Sequence, residues 1–212
     1  FGCRAVRVEH RCAHRDDLEP AHDRELVAWL ERVVSVADGM PFEAVIKNTS
    51  NNYQIRLDFD ARLMAVLSEE DWECKSPDGL RLPEELPGIK PDALLVRGDT
   101  VVALEIEKTN KKTIWFDFIK MMMLIGHGSA THGLLMVPRN YAHKHGIWDL
   151  FEDARYYRWC LSEYAKVSRT LLSKIAVVGY TQEAQIGRRW VEHDAATIAQ
   201  VKTQAAEHFR DQ

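Results

Sequence analysis

Three carboxylates, those of Asp92, Glu105 and Glu107, have the spacing to converge on one point. They lie in the stretch 88–112, where two apolar runs rich in β-branched residues, 93–96 and 101–106, flank the dipeptide Gly98-Asp99. Runs of this kind around a glycine-containing pair predict an antiparallel hairpin. With Gly98 and Asp99 as the loop, Arg97 pairs with Thr100, and stepping outward brings Asp92 opposite Glu105. Opposed residues share a face with β-carbons roughly 5 Å apart, and Glu107 joins that face because strand side chains alternate. Val102, Leu104 and Ile106 then fill the other face. Facing carboxylates repel one another unless a cation lies between them, and hard divalent ions such as Mg²⁺ are held by a few carboxylate oxygens with water and phosphate. The blander alternative is a solvated hairpin with ordinary surface charge.

The elements that must position this hairpin follow from periodicity. Residues 16–38 predict a helix, with Leu26, Val27, Leu30, Val33 and Val34 at helical spacing and Gly39 as its stop. The Asn- and Ser-rich segment 47–53 reads as a loop, 54–72 as a second helix with an acidic end, and the Pro-rich segment 77–88 as an irregular connection into the hairpin. A helix follows over 112–125. Its apolar residues, Ile114, Trp115, Phe116, Phe118, Ile119 and Met121 to Met123 among them, run around most of its circumference, so it is either deeply buried or shared with a second subunit. Gly126-His127-Gly128 ends it, and 133–137 is a short apolar strand closed by Pro138. Helical patterns over 147–161 and on to 172, a strand over 175–180 and a last helix over 194–209 complete the chain. The fold class expected is α/β (α+β), a mixed central β-sheet flanked by helices. A single domain spans 1–212: an N-terminal helical part at 1–40, a core at 41–182 and a C-terminal helix at 183–212.

With 212 residues the chain can bury one sizeable core. Its 46% hydrophobic and 28% charged residues are ordinary for such a domain, and no apolar run reaches the roughly 18 residues of a membrane span. The first fifteen residues, studded with Arg and His, do not read as a secretory signal. Cys3, Cys12, Cys74 and Cys160 show neither paired nor zinc-ligand spacing, which suits reduced thiols and a cytoplasmic setting. His127, His132, His143 and His145, without companion cysteines, read as loop or surface residues. A net charge of −4 excludes a general nucleic-acid coat protein, whose affinity comes from a large basic excess. Local basic clusters at 108–112, 139–145 and 188–189 remain, each more often a solvated surface than a phosphate track.

The residues Pro91-Asp92 and Glu105-Ile106-Glu107 resemble the PD-(D/E)xK nuclease superfamily, and more closely its BamHI- and BglII-like type II restriction endonucleases, in which a Glu replaces the Lys of ExK. The likeness covers roughly positions 45–160 and includes the Asn-rich loop, Asn110 three residues after the ExE step, the helix ending in Gly-His-Gly and the strand LLMVP. It implies a restriction-endonuclease-like core that cuts double-stranded DNA with Mg²⁺, or Mn²⁺ in its place, and the excess apolar surface of the helix 112–125 makes that helix the expected interface of a homodimer. Asp92, Glu105 and the backbone carbonyl of Ile106 would ligate the metal. Glu107 would help activate the attacking water or hold a second metal, and Glu73 is the nearest candidate for a further ligand, although strict alignment falls on Lys75. Asn110 matches a base-reading position, and Lys108, Lys111, Lys112 and Arg139 are the candidates for DNA contact. Alternation turns Lys108 away from the acidic face. The chemistry suits the residues: a phosphodiester repels nucleophiles by its own charge, and a metal ion offsets that charge and activates water. Alternatives are a structure-specific nuclease of DNA repair or mobile elements, a DNA-binding protein on the same fold without catalysis, and a structural protein with an acidic hairpin edge.

Overall fold

A computed structural model describes residues 88–107, 111–143, 146–165, 168–186 and 188–192, with short pieces at 3–9, 41–42, 44–46, 53–55, 64–65, 68, 72–75, 194, 196 and 199. Its strands are β1 (Cys3–Glu9), β2 (Pro41–Phe42), β3 (Ala44–Ile46), β4 (Tyr53–Ile55), β5 (Glu73–Lys75), β6 (Ala93–Arg97), β7 (Thr100–Ile106), β8 (His132–Pro138), β9 (Tyr141–His143), β10 (Gly146–Trp148), β11 (Ile175–Ile186) and β12 (Arg189–Glu192). The helices bounded within the described residues are α1 (Ile114–Gly126), α2 (Leu150–Glu163) and α3 (Arg169–Ser173). Most strands belong to one mixed sheet ordered β2-β1-β11-β8-β7-β6-β5, with β12 also on β11.

The hairpin forms as its turn requires. Gly98 has φ +57, a left-handed conformation that costs glycine little, and Arg97 pairs with Thr100. Antiparallel pairing runs outward to Ala93 opposite Leu104. The strand β7 then leaves the sheet, α1 crosses over, and β8 returns parallel to it, as a connection of that length permits. A second crossover through α2 and α3 brings β11 back parallel to β8.

These strands are continuous apolar runs because both faces of the sheet are buried. On one face Leu94, Ala103, Leu135, Val137, Ile175 and Val177 pack with Ile114, Phe118 and Met121 of α1 and Leu150, Phe151 and Ala154 of α2. The other face buries Leu95, Leu104, Met136, Val178 and Tyr180. Contact between α1 and the sheet depends on Gly133, where an added β-carbon would lie 2.7 Å from Met121 Sδ.

Several sequence expectations are corrected. The chain's start is a strand, β1, because β11 extends to Ile186 and offers a free edge to pair with. Residues Glu183 and Ala184 pair with β1 on one edge and β12 on the other, so 183–192 is a hairpin and not the beginning of a C-terminal helix. Within the expected helix 54–72, β4 begins at Tyr53 and pairs with β3, while positions 64, 65 and 68 are helical. Ile147 belongs to β10, since Asp149 starts α2 by accepting hydrogen bonds from the amides of Phe151 and Glu152. Ser168 likewise separates α3 from α2. The helix 16–38, the loop 47–52 and nearly all of 194–209 lie outside the described residues.

Candidate functional site

The antiparallel hairpin and parallel β8 bring the amino end of β6 and the carboxyl ends of β7 and β8 to one edge of the sheet. Asp92 sits one residue before β6, exposed, behind the buried ring of Pro91. Its Oδ2 accepts a 2.7 Å hydrogen bond from the Ile106 amide, which ties the open end of β6 to β7 and orients the carboxylate. Extending the register by one pair places Asp92 opposite Glu105.

Glu105 is 4% exposed, the least accessible carboxylate described. Its Oε1 is buried without a hydrogen bond of regular geometry, and 2.5 Å away stands the ammonium of Lys120 from α1. Lys120 also reaches Asp117 Oδ1 at 3.1 Å, one helical turn earlier. Loss of water on burial pushes Glu105 up to about 8, with Lys120 pulling it back and Asp117 and Asp92 adding to the rise. Burial also raises Asp117, against Lys120 and with smaller contributions from Glu107 and Asp92. For Lys120 burial acts downward, but the Glu105 and Asp117 carboxylates outweigh it and the ammonium is held above its usual range. Four carboxylates thus share one electrostatic neighbourhood, with one half-buried cation between two of them.

Glu107 is half-buried at the same edge, where its amide donates to Met136 O at 3.0 Å. Thr113, the N-cap residue of α1, donates its hydroxyl to Glu107 Oε2, and its oxygen accepts no capping bond from the amides of its own helix. Tyr141 is raised by burial and by the charge of Glu107.

Glu73 is not brought here. It pairs with Val96, near the turn of the hairpin, and is exposed beside Lys75 at 3.2 Å. Asp92 lies four residues from Val96 along an extended chain, roughly 13 Å at strand rise. The strand register that the sequence left unread therefore removes Glu73 as a ligand. Of the candidates for DNA contact, Lys111 is held by Asp153 Oδ1 at 2.6 Å and Lys112 is exposed. Arg139 follows β8 at the acidic edge, 3.7 Å from Asp149 Oδ2 and over the Phe151 ring. Lys108 and Asn110 lie outside the described residues.

The apolar excess of 112–125 is absorbed mostly within the chain: Ile114, Phe118, Met121, Met122, Leu124 and Ile125 are buried, and Trp115 packs edge-on against Tyr157. Phe116 and Met123 remain exposed. Sequence reasoning missed Asp117 and Lys120, reading the helix by its apolar residues alone. Their signal was available: charged residues at i and i+3 inside a helix apolar all round must be buried, and buried charges need partners.

Among the described residues no three acidic, His or Cys side chains form a ready-made cage for a metal ion. What is present is an all-oxygen set, Asp92 and Glu105 beside the Ile106 backbone, with Glu107 adjoining. That set fits a hard divalent ion, which completes its shell with water. Among the described residues no helix is long and apolar enough to cross a membrane. No protein-family model and no curated protein matches the chain.

Proposed function

We propose that the protein is a metal-dependent DNA endonuclease with a core arranged as in the PD-(D/E)xK nucleases. The observation that carries this reading is the buried Glu105 carboxylate, facing Asp92 at the sheet edge and met there by the Lys120 ammonium. Burying a carboxylate and its counter-ion is costly, and such groups concentrate where charge is put to use.

A bound Mg²⁺ would offset phosphate charge and acidify a water molecule. Asp92 and Glu105 would hold it. The Ile106 amide fixes the Asp92 carboxylate, and Thr113 fixes Glu107, which would accept a proton from the attacking water. Lys120 supplies positive charge from α1, in a chain whose ExE motif has no Lys of its own. Arg139 and Lys112 flank the edge and meet the DNA backbone, each phosphate contact adding salt-sensitive affinity.

A second reading is favoured by the same ion pair: Glu105, Lys120 and Asp117 serve only to fasten α1 to β7. The test is incubation with plasmid and phage DNA in Mg²⁺, Mn²⁺ or EDTA, beside Glu105→Ala and Asp92→Ala. Discrete fragments that require the metal and both acids are expected. Nicking or smearing points to a structure-specific nuclease, and cleavage retained by both variants would sink the site. A fastening role alone predicts a lower melting temperature for Glu105→Ala, with no metal effect on either protein.

A further inference from the structure

Lys120 stands where a divalent ion would have to stand. Its ammonium is 2.5 Å from Glu105 Oε1 and 3.1 Å from Asp117 Oδ1, with its side chain 13% exposed. An ammonium and a divalent cation cannot share one Glu105 oxygen, because the repulsion between them is twice that of two unit charges at the same separation and is little screened away from water. One must leave.

The ammonium has somewhere to go. It already lies 5.7 Å from the centroid of the Phe116 ring, four residues earlier on α1, and that ring is 53% exposed. An ammonium over an aromatic face keeps part of its stabilisation. Rotation about the long Lys side chain therefore carries the charge from the Glu105 carboxylate toward solvent along Phe116, at the edge where a phosphate would approach.

We propose, on the reading of Asp92 and Glu105 as a metal site, that Lys120 is a resident counter-ion which gates metal entry. A divalent ion binds Glu105 only as the ammonium swings out, and a nucleic-acid phosphate that takes up the ammonium draws the metal in. Metal loading is then coupled to substrate: weak in the free protein and tightened by a phosphate anion, each ligand favouring the other by the same factor.

The experiment is Mn²⁺ binding followed by electron paramagnetic resonance, with wild-type protein, Lys120→Met and Glu105→Ala. Each is titrated with and without thymidine 3′,5′-bisphosphate, which offers phosphate groups but no cleavable diester. Lys120→Met is expected to bind Mn²⁺ at least about tenfold more tightly than wild type, a difference of about 1.4 kcal/mol. The bisphosphate should tighten Mn²⁺ binding in wild type and leave the variant unmoved. If Lys120→Met binds no more tightly than wild type while Glu105→Ala loses the metal, the gate is wrong and the metal site stands. If wild type binds no Mn²⁺ at millimolar concentration, with or without the bisphosphate, and behaves as Glu105→Ala does, the metal site itself is wrong and the gate falls with it. Should Lys120→Met fail to fold, the wild-type titration decides: no tightening by the bisphosphate overturns the proposal.

Discussion

Replacing Gly133 by Ala tests whether the placement of Lys120 depends on how closely α1 lies on the sheet. The new β-carbon would sit 2.7 Å from Met121 Sδ, 3.1 Å from Met121 Cβ and 3.2 Å from Ile175 Cγ1. The sulfur can rotate away, since a methionine tail is flexible. Met121 Cβ and Ile175 Cγ1 are fixed to α1 and β11, and ordinary carbon contacts lie at about 3.5–4.0 Å. Relief therefore takes a shift of α1 by a few tenths of an ångström. Overpacking of this kind costs about 1–3 kcal/mol, while the stiffer unfolded chain of an Ala variant returns about 0.5–1 kcal/mol. At the middle of the two ranges the clash wins by about 1 kcal/mol, which lowers the melting temperature by about 2–4 °C in a chain of this length. Met121 follows Lys120, so the same shift draws the ammonium from Glu105. Urea denaturation measures the first effect and Mn²⁺ binding the second. In a Gly133→Ala, Ile175→Ala double variant the two costs should fall short of additivity, because loss of Ile175 Cγ1 vacates part of the space the new β-carbon needs. A Gly133→Ala protein as stable as the parent, or strict additivity in the cycle, would show that α1 does not depend on Gly133 for its close approach to the sheet.

Glu73→Gln should leave metal binding and cleavage within twofold of the parent, because Glu73 lies at the turn end of the hairpin; a tenfold loss of Mn²⁺ affinity would restore it as a ligand. Asp149→Ala removes an N-cap that serves two amides and should cost about 1 kcal/mol, with a range of roughly 0.5–2, in thermal unfolding. Asp149→Asn should retain most of that cap while weakening the hold on Arg139. If Arg139 contacts phosphate, the Asn variant should bind DNA more tightly at low salt, and unchanged affinity would remove Arg139 from the interface.

What the sequence made legible was local. A two-residue glycine turn fixed the hairpin register, and with it the neighbourhood of Asp92 and Glu105, because strand alternation leaves no freedom once the turn is placed. The helix over 112–125 announced itself by composition, and its alternatives, burial or a partner, separate once Ile114, Phe118 and Met121 are found against Ala103 and Leu135. Non-local pairings were illegible. Nothing in Cys3–Glu9 says that its partner is the far half of β11, and nothing in Glu73 says that it meets Val96, remote from Asp92. In β9 and β10 the runs are three residues each, too short for a period to show.

Lys120 lies between these cases, and shows how function can be read from a breach of pattern. A helix apolar all round has no solvent face on which to place a charge, so Asp117 and Lys120 demanded a polar site on whatever the helix covers. Among the described residues, the strand that carries a buried carboxylate is β7, at Glu105. Two violations of the hydrophobic pattern, each expensive alone, cancel only if they meet, and the sequence contained both. Their meeting at 2.5 Å follows from the crossover length between β7 and β8, which carries α1 back across the carboxyl end of β7. Residue types and connectivity alone bring Asp117, Lys120 and Glu105 together, and they meet whichever of the two readings, metal chemistry or fastening, the Mn²⁺ titration selects.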